Sequence, residues 1–569
     1  MIRVSQRLLR ALEAAMDKGW FHAKELSQQL GGAEEAFYTL LEGFSLGVFR
    51  YRGEDEFEIR REGLELLDAW REAGRPEIDP WIDSRVYTML RTLKYSPVEP
   101  SEEWKPILED RGFYSAGSVL SRAAEKVVEL AGRLERSLVI TKSMARSLVT
   151  VPEGPARKDD YGRFHPVFES MGILVGTVPL NPYYSLTLTG RLLRRALQRA
   201  NLDAPFPALV NPWILNALRK AAGGEDLTPE EKTVLGTIGY IKPTGSIAYP
   251  GRLVLEAVRA HERARLRPPM ALSPREEKLL IAIRDLWREK LEKKPNIHVE
   301  KDRIMQKLSE QGVEVDPARL GLDLLHLESM GLIVEEEEES VTVYKLTSAG
   351  ETMASLPGAG RGAPATAVKA YTYPYALLSP SISWVESGIE HGTLGTGGPT
   401  KRGLMLAKLS GTGRIPFLTR PEAVGLQRIP DEKSVRREDL AEAISGAGGD
   451  PWESIERLET RGLIETLPDN RVILTRAGRL IKTALIGVPS GIATPIYPVL
   501  VRVLKAIAEM GTDDPARLVN TLKIPLSSVK DAIVLARSAK YLGRSGLTAA
   551  GKSILEALEE LGGEETAEY

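Results

Sequence analysis

The chain has 569 residues, 43% hydrophobic and 27% charged, with 76 Lys plus Arg against 78 Asp plus Glu. This composition excludes a disordered chain, suggests several domains at roughly 100 to 200 residues each, and leaves no overall charge to attract a polyanion. Zero Cys excludes disulfides and thiolate metal sites.

Only seven Asn and seven Gln are present, a depletion of thermolabile residues that points to a thermophilic source. The start, "MIRVSQRLLRALEAAMDKGW", has charged and apolar residues at helical spacing and reads as a helix rather than a signal peptide. The uncharged run from Thr483 to Val501 is broken by Gly487, Pro489, Gly491, Pro495 and Pro498. A linker into a new helix is expected there, not a membrane span, and the protein is expected to be cytoplasmic.

In chain order, residues 1–78 carry "HAKELSQQLGG", a helix and turn, then "LEGFSLGVFRYRGEDEFEIRREGLELL", a helix end, a hairpin and a second helix. Residues 79–205 end in the same pattern ("FESMGILVGTVPLNPYYSLTLTGRLLRRAL") after an insertion, "SAGSVLSRAAEKVVELAGRLERSLVITKSMARSLV", expected to be a long helix or helical hairpin. Residues 206–268 form a degenerate copy. Residues 269–358 hold a clear copy, "LESMGLIVEEEEESVTVYKLTSAGETMASL", and 359–412 another degenerate one.

The copy at 413–490 is the most legible. Asp450 is an expected N-cap, Pro451 the first helical residue and Glu453 the partner of a capping box. Gly462 ends that helix, "LIETL" and "RVIL" form a hairpin, and Thr475 caps "RAGRLIKTAL", where Gly478 would admit a neighbouring backbone. A basic copy at 491–569 closes the chain. The closing glycines align as Gly63, Gly190, Gly251, Gly350, Gly403, Gly478 and Gly551, and Thr187, Thr347, Thr400, Thr475 and Thr548 stand three residues before five of them. The fold expected is therefore mainly α with small β-hairpins, a tandem array of about six or seven winged-helix units.

The phrases "LESMGLI…YKLTSAG" and "LETRGLI…VILTRAGR" resemble the last helix and wing of archaeal winged-helix proteins. Including "GTLGTGGPTKRG" and "FLTRPEAVGLQRIP", the whole chain also resembles an archaeal family known only as a domain of unknown function. The winged-helix likeness implies DNA or RNA binding in most cases and protein contacts in a minority.

In that fold the third helix enters a groove and the wing touches phosphates, so a binding copy should be basic at both. The first copy has Glu34, Glu35 and Glu42 in its third helix, and the wing near 337 has Glu335 through Glu339 in a row, which would repel a phosphate backbone. Between Arg517 and Lys552 the last copy has seven bases, Arg517, Lys523, Lys530, Arg537, Lys540, Arg544 and Lys552, against one acid, Asp531. Its third helix is the leading contact surface. Secondary candidates are Arg457 and Arg461, read as facing away from Ile455 and Leu458; Arg191, Arg194 and Arg195; and Lys401 with Arg402 in a glycine-rich wing.

Six dispersed His residues show no metal-ligand spacing, "GSVLS" lacks the nucleophile-elbow pattern, and "GTLGTGGPTKRG" lacks that of a phosphate loop. No enzyme, metal or cofactor is expected. Two functions stand: an array that binds nucleic acid through its basic copies, with the acidic copies as spacers or docking faces for protein partners, or a scaffold whose diverged units hold proteins or a ribonucleoprotein such as the ribosome.

Overall fold

The structure is a computed structural model and describes residues 3–53, 55–95, 99–114, 119–134, 137–151, 156–176, 183–262, 268–292, 298–314, 316–372, 382–395, 398–467, 469–544 and 546–562. It is mainly helical, with small antiparallel sheets of two or three strands. The chain forms two units, described separately below: residues 1–265, and residues 266–372 with 382–569.

One backbone signature recurs eight times among the described residues. In the clearest copy, the helix Pro451–Thr460 ends at left-handed Gly462. Leu463 N–H then donates back to the Leu458 carbonyl at 3.0 Å, and Thr475 N–H donates to the Leu463 carbonyl at 3.1 Å. Thr475 Oγ1 donates to the Gly462 carbonyl at 2.6 Å and accepts from Gly478 N–H at 3.0 Å, which starts the last helix, Arg476–Ala484. The threonine thus pins the helix end to the next helix start. A Cβ on Gly478 would run into the Leu463 carbonyl, so only glycine admits this approach.

The same left-handed residue falls at Gly47, Gly112, Gly172, Gly239, Gly331, Gly392, Gly462 and Lys540. The following residue makes the paired backbone bonds each time. We number the repeats 1 to 8 in that order.

Repeat 2 was not foreseen. Residues 79–205 do not form one unit: the stretch Trp104–Glu109, Gly112, Ser121 and Arg122–Arg133 is a repeat of its own. Ser121 replaces the threonine, donating to the Gly112 carbonyl at 2.7 Å and accepting from Ala124 N–H at 3.2 Å. The supposed insertion is therefore its last helix, followed by the first strand and helix of repeat 3 (Ile140–Thr141, Lys142–Thr150). Among the described residues the signature therefore occurs eight times within the mainly helical tandem array.

The repeats share cores in pairs. One buried cluster runs from Val4 to Leu134, covering repeats 1 and 2, so a division at residue 78 cuts through it. The others run from Leu138 to Ala260 (joined by Leu41), from Met270 to Leu409 and from Leu418 to Leu558. Within each pair the segments before the two first helices meet as an antiparallel bridge: Val4 with Ile82, Ile140 with Val210, Leu272 with Ala363, and Leu418 with Ile496. Among the described residues, the two repeats of each pair contribute to one buried cluster.

Among the described residues, no helix is long and apolar enough to cross a membrane.

Candidate nucleic-acid interface

Repeats 1, 3, 5 and 7 bury their third helices inside their own unit. In the first unit, the third helices of repeats 1 (Ala33–Leu46) and 3 (His165–Ser170) meet around Arg3, which stands 3.3 Å from Glu42 and 3.4 Å from Glu169. Ser5 and Ser170 also donate to Glu42, whose carboxyl is nevertheless pushed up from its ordinary range by burial. Glu42 is thus not a surface charge.

In the second unit, Arg457 of repeat 7 is 2.7 Å from Glu276 and 2.9 Å from Asp323 of repeat 5. Arg461 donates to Glu422 and to the Phe417 carbonyl at 2.9 Å, and meets His326 Nδ1 at 3.3 Å. Burial disfavours the imidazolium, so His326 is held well below its ordinary pKa and accepts from Arg461 as neutral imidazole.

The expectation that Arg457 and Arg461 offer an exposed contact is therefore corrected. Arg461 stands three residues after Leu458, on the same side of the helix, and both arginines pack against repeat 5, leaving Arg457 7% and Arg461 0% exposed. Glu276, Asp323 and Glu453 bring carboxylate oxygens close together. Three guanidinium groups already neutralise them: Arg457 touches all three, Arg275 reaches Asp323 at 2.7 Å, and Arg319 reaches Glu453.

Arg402 is also an interior residue. It lies 2.6 Å from Glu277, whose other oxygen accepts from Gly360 and Gly362 N–H. The protein's own carboxylate fills that nest of amides. Lys401, beside it, is exposed. Arg191, Arg194 and Arg195 are half-buried along the helix Leu188–Leu197, and Arg191 donates to the Leu186 carbonyl at 3.1 Å.

The acidic hairpin of repeat 5 is not a bare run of charge either. Lys345 pairs with Glu336 at 2.5 Å and Glu338 at 3.5 Å, Lys290 pairs with Glu338 at 2.5 Å, and Glu335 accepts from Ser528 of repeat 8 at 3.4 Å.

Repeat 8 differs. Its third helix, Leu526–Ser538, buries Val529, Ala532, Ile533 and Ala536 and exposes Lys530, Val534 and Arg537. Arg537 is held by Asp513 at 2.5 Å. Lys523, Lys530, Lys540, Arg544 and Lys552 are exposed and form no ion pair with any described residue.

Two of these lysines have left-handed backbones: Lys523 with φ 53° and Lys540 with φ 62°. Lys540 occupies the turn that is glycine in all seven other repeats, and Lys523 ends the second helix where repeats 1, 5 and 7 have Gly31, Gly312 and Gly448. The sequence showed their charge. Their left-handed backbone is a property of the structure.

A family model covers residues 9–316 and again residues 316–558. The chain belongs to that family, described as Protein of unknown function (DUF505). It is 25% identical over 561 residues to the uncharacterized protein MJ1355 of Methanocaldococcus jannaschii, covering 92% of this chain and 94% of that protein. No solved structure matches the chain. The two consecutive matches fit a chain that repeats its module along its length.

Proposed function

We propose that the chain is a non-enzymatic nucleic-acid-binding protein of paired winged-helix repeats, in which repeat 8 holds the phosphate backbone through Lys523, Lys530 and Lys540. The observation that carries this reading is the pair of left-handed lysines. A side chain in that conformation costs about 1 kcal/mol relative to glycine, and the fold is satisfied by glycine at the equivalent turns. Lysine at both ends of one helix, exposed and without an ion pair to any described residue, favours a charge-dependent task there.

The helix between them follows the second helix after a three-residue turn, Lys523 to Pro525, as a groove-entering helix does. Its exposed face has no Asn or Gln, and its arginine is paired with Asp513, so contacts to backbone rather than to base edges are proposed.

Burial of the third helices of repeats 1, 3, 5 and 7 supports a second reading. Those repeats organise protein against protein, as a scaffold on a ribonucleoprotein would require.

The test is retardation of a labelled duplex by the full chain across salt. Affinity should fall steeply with salt, with a slope shallower by roughly one per phosphate contact removed in Lys530→Glu and Lys540→Glu. Absence of binding to DNA or RNA duplexes at low salt, together with co-sedimentation with ribosomal subunits, would replace the first reading with the second.

A further inference from the structure

In the first unit, the hairpin of repeat 4 carries an aromatic residue with no part in the core. Tyr249, the first residue of the last helix Tyr249–Glu262, is 54% exposed. The position two residues before the closing glycine is solvent-facing in other repeats too, where it holds Arg61, Ser348, Lys401, Arg476 and Ala549. Folding therefore does not ask for a ring there.

The ring is held in place rather than free to fold back. Arg199, exposed at the end of repeat 3, stands over it with its guanidinium carbon 5.5 Å from the ring centre. Arg199 is fixed by donating to the Arg195 carbonyl at 3.1 Å, and Asn201 N–H ties the same chain end to the Ile238 carbonyl at 2.9 Å. Arg252, one turn on from Tyr249, and Lys242, in the hairpin closed by Ile241 and Ile247, are exposed and form no ion pair with any described residue.

A duplex keeps its bases stacked inside, so an exposed ring adds nothing to backbone contacts with it. An unpaired base offers a π-face to a tyrosine, and flanking cations hold the phosphates on either side.

We infer that Tyr249, Arg199, Arg252 and Lys242 form a binding surface for single-stranded nucleic acid, with an unpaired base stacked on Tyr249. This rests on reading the chain as a nucleic-acid binder, but on a different unit and different residues from the lysines of repeat 8.

The experiment is fluorescence anisotropy of the full chain with labelled twelve-residue oligothymidylate, oligouridylate of the same length, and a duplex. Tyr249→Ala should weaken single-strand binding about fivefold to a hundredfold, the range for losing one stacked base. Tyr249→Phe should retain it, and Lys540→Gly should weaken the duplex while leaving the single strand unchanged. Comparing the two oligomers identifies RNA or DNA as the preferred source. The inference is overturned if the wild type ignores both oligomers, if Tyr249→Ala binds them as the wild type does, or if Tyr249→Phe loses as much as alanine. Equal loss on the duplex, or displacement of the strand by polyglutamate at matched charge, overturns it as well. A duplex response confined to Lys540→Gly would leave the repeat 8 reading standing alone.

Discussion

Arg457 places its Nη2 atom 2.7 Å from Glu276 and 2.9 Å from Asp323, with all three side chains almost wholly withdrawn from water. Removing the guanidinium would leave two carboxylates from another repeat buried without their shared partner. Arg457→Ala should therefore cost about 3–5 kcal/mol, as breaking a buried pair does. Arg457→Lys should lose less, because it keeps the charge but not the fork that reaches several carboxylates. Chemical denaturation of the full chain measures both. A loss below about 1 kcal/mol would mean that this contact does not hold repeats 5 and 7 together.

Glu456 lies one residue before Arg457 and titrates in an accessible range. Burial pushes its carboxyl up to about 7; Arg437 opposes this, Glu459 adds to it and Lys369 opposes it. A carboxyl whose folded pKa is raised favours folding when protonated, and that contribution disappears as pH rises from the unfolded value near 4.5 through about 7. Glu456→Gln should match the wild type at and below pH 4.5 and exceed it by about 1–3 kcal/mol at pH 8. Denaturation midpoints at the two pH values decide it; equal stabilities at pH 8 would show that the carboxylate is solvated.

The signature of the repeat makes a sharper demand. A Cβ at position 478 would overlap the Leu463 backbone, which cannot yield without moving the hairpin. Gly478→Ala should cost about 2–3 kcal/mol, in the range of core overpacking. Thr475→Ala, which removes the bond to Gly478 N–H and the one to the Gly462 carbonyl, should cost about 1 kcal/mol. Thermal unfolding in parallel gives the order, and a milder effect for the glycine variant would contradict the close approach.

These elements show what the sequence could carry. Thr475, Gly478 and Gly462 were legible because caps and left-handed turns are local, set by three or four neighbouring residues. Asp450 caps its helix as expected, but Glu453 bonds Arg457 and Arg319 instead of closing a capping box, because a distant charge competed for it. Arg457 and Arg461 differ from expectation for two reasons: helical spacing does not tell what covers the face bearing Arg457, and Arg461, three residues after Leu458, lies on the side that packs. Repeat 2 was hidden because Ser121 and Ala124 replace the usual threonine and glycine, although Gly112 marked its turn. For Lys523 and Lys540 the sequence shows the charge but not the backbone angle, which a lysine does not reveal.

The left-handed lysines separate stability from binding. Lys540→Gly relieves the strained turn, and Lys523→Gly does the same at the end of the second helix, partly offset by the greater freedom of glycine in the unfolded chain. Each should raise stability by about 0.5–1 kcal/mol while weakening duplex binding at low salt. Lys530→Gly is the contrast. It sits inside the regular helix Leu526–Ser538, so it should lower stability by about 1 kcal/mol and weaken binding as well. Thermal unfolding and duplex anisotropy on the three variants read both quantities. Stability and affinity moving in opposite directions at 523 and 540, but together at 530, would mark the two strained lysines as residues kept for their charge. Stabilised variants with unchanged affinity would leave the strain without a function in duplex binding.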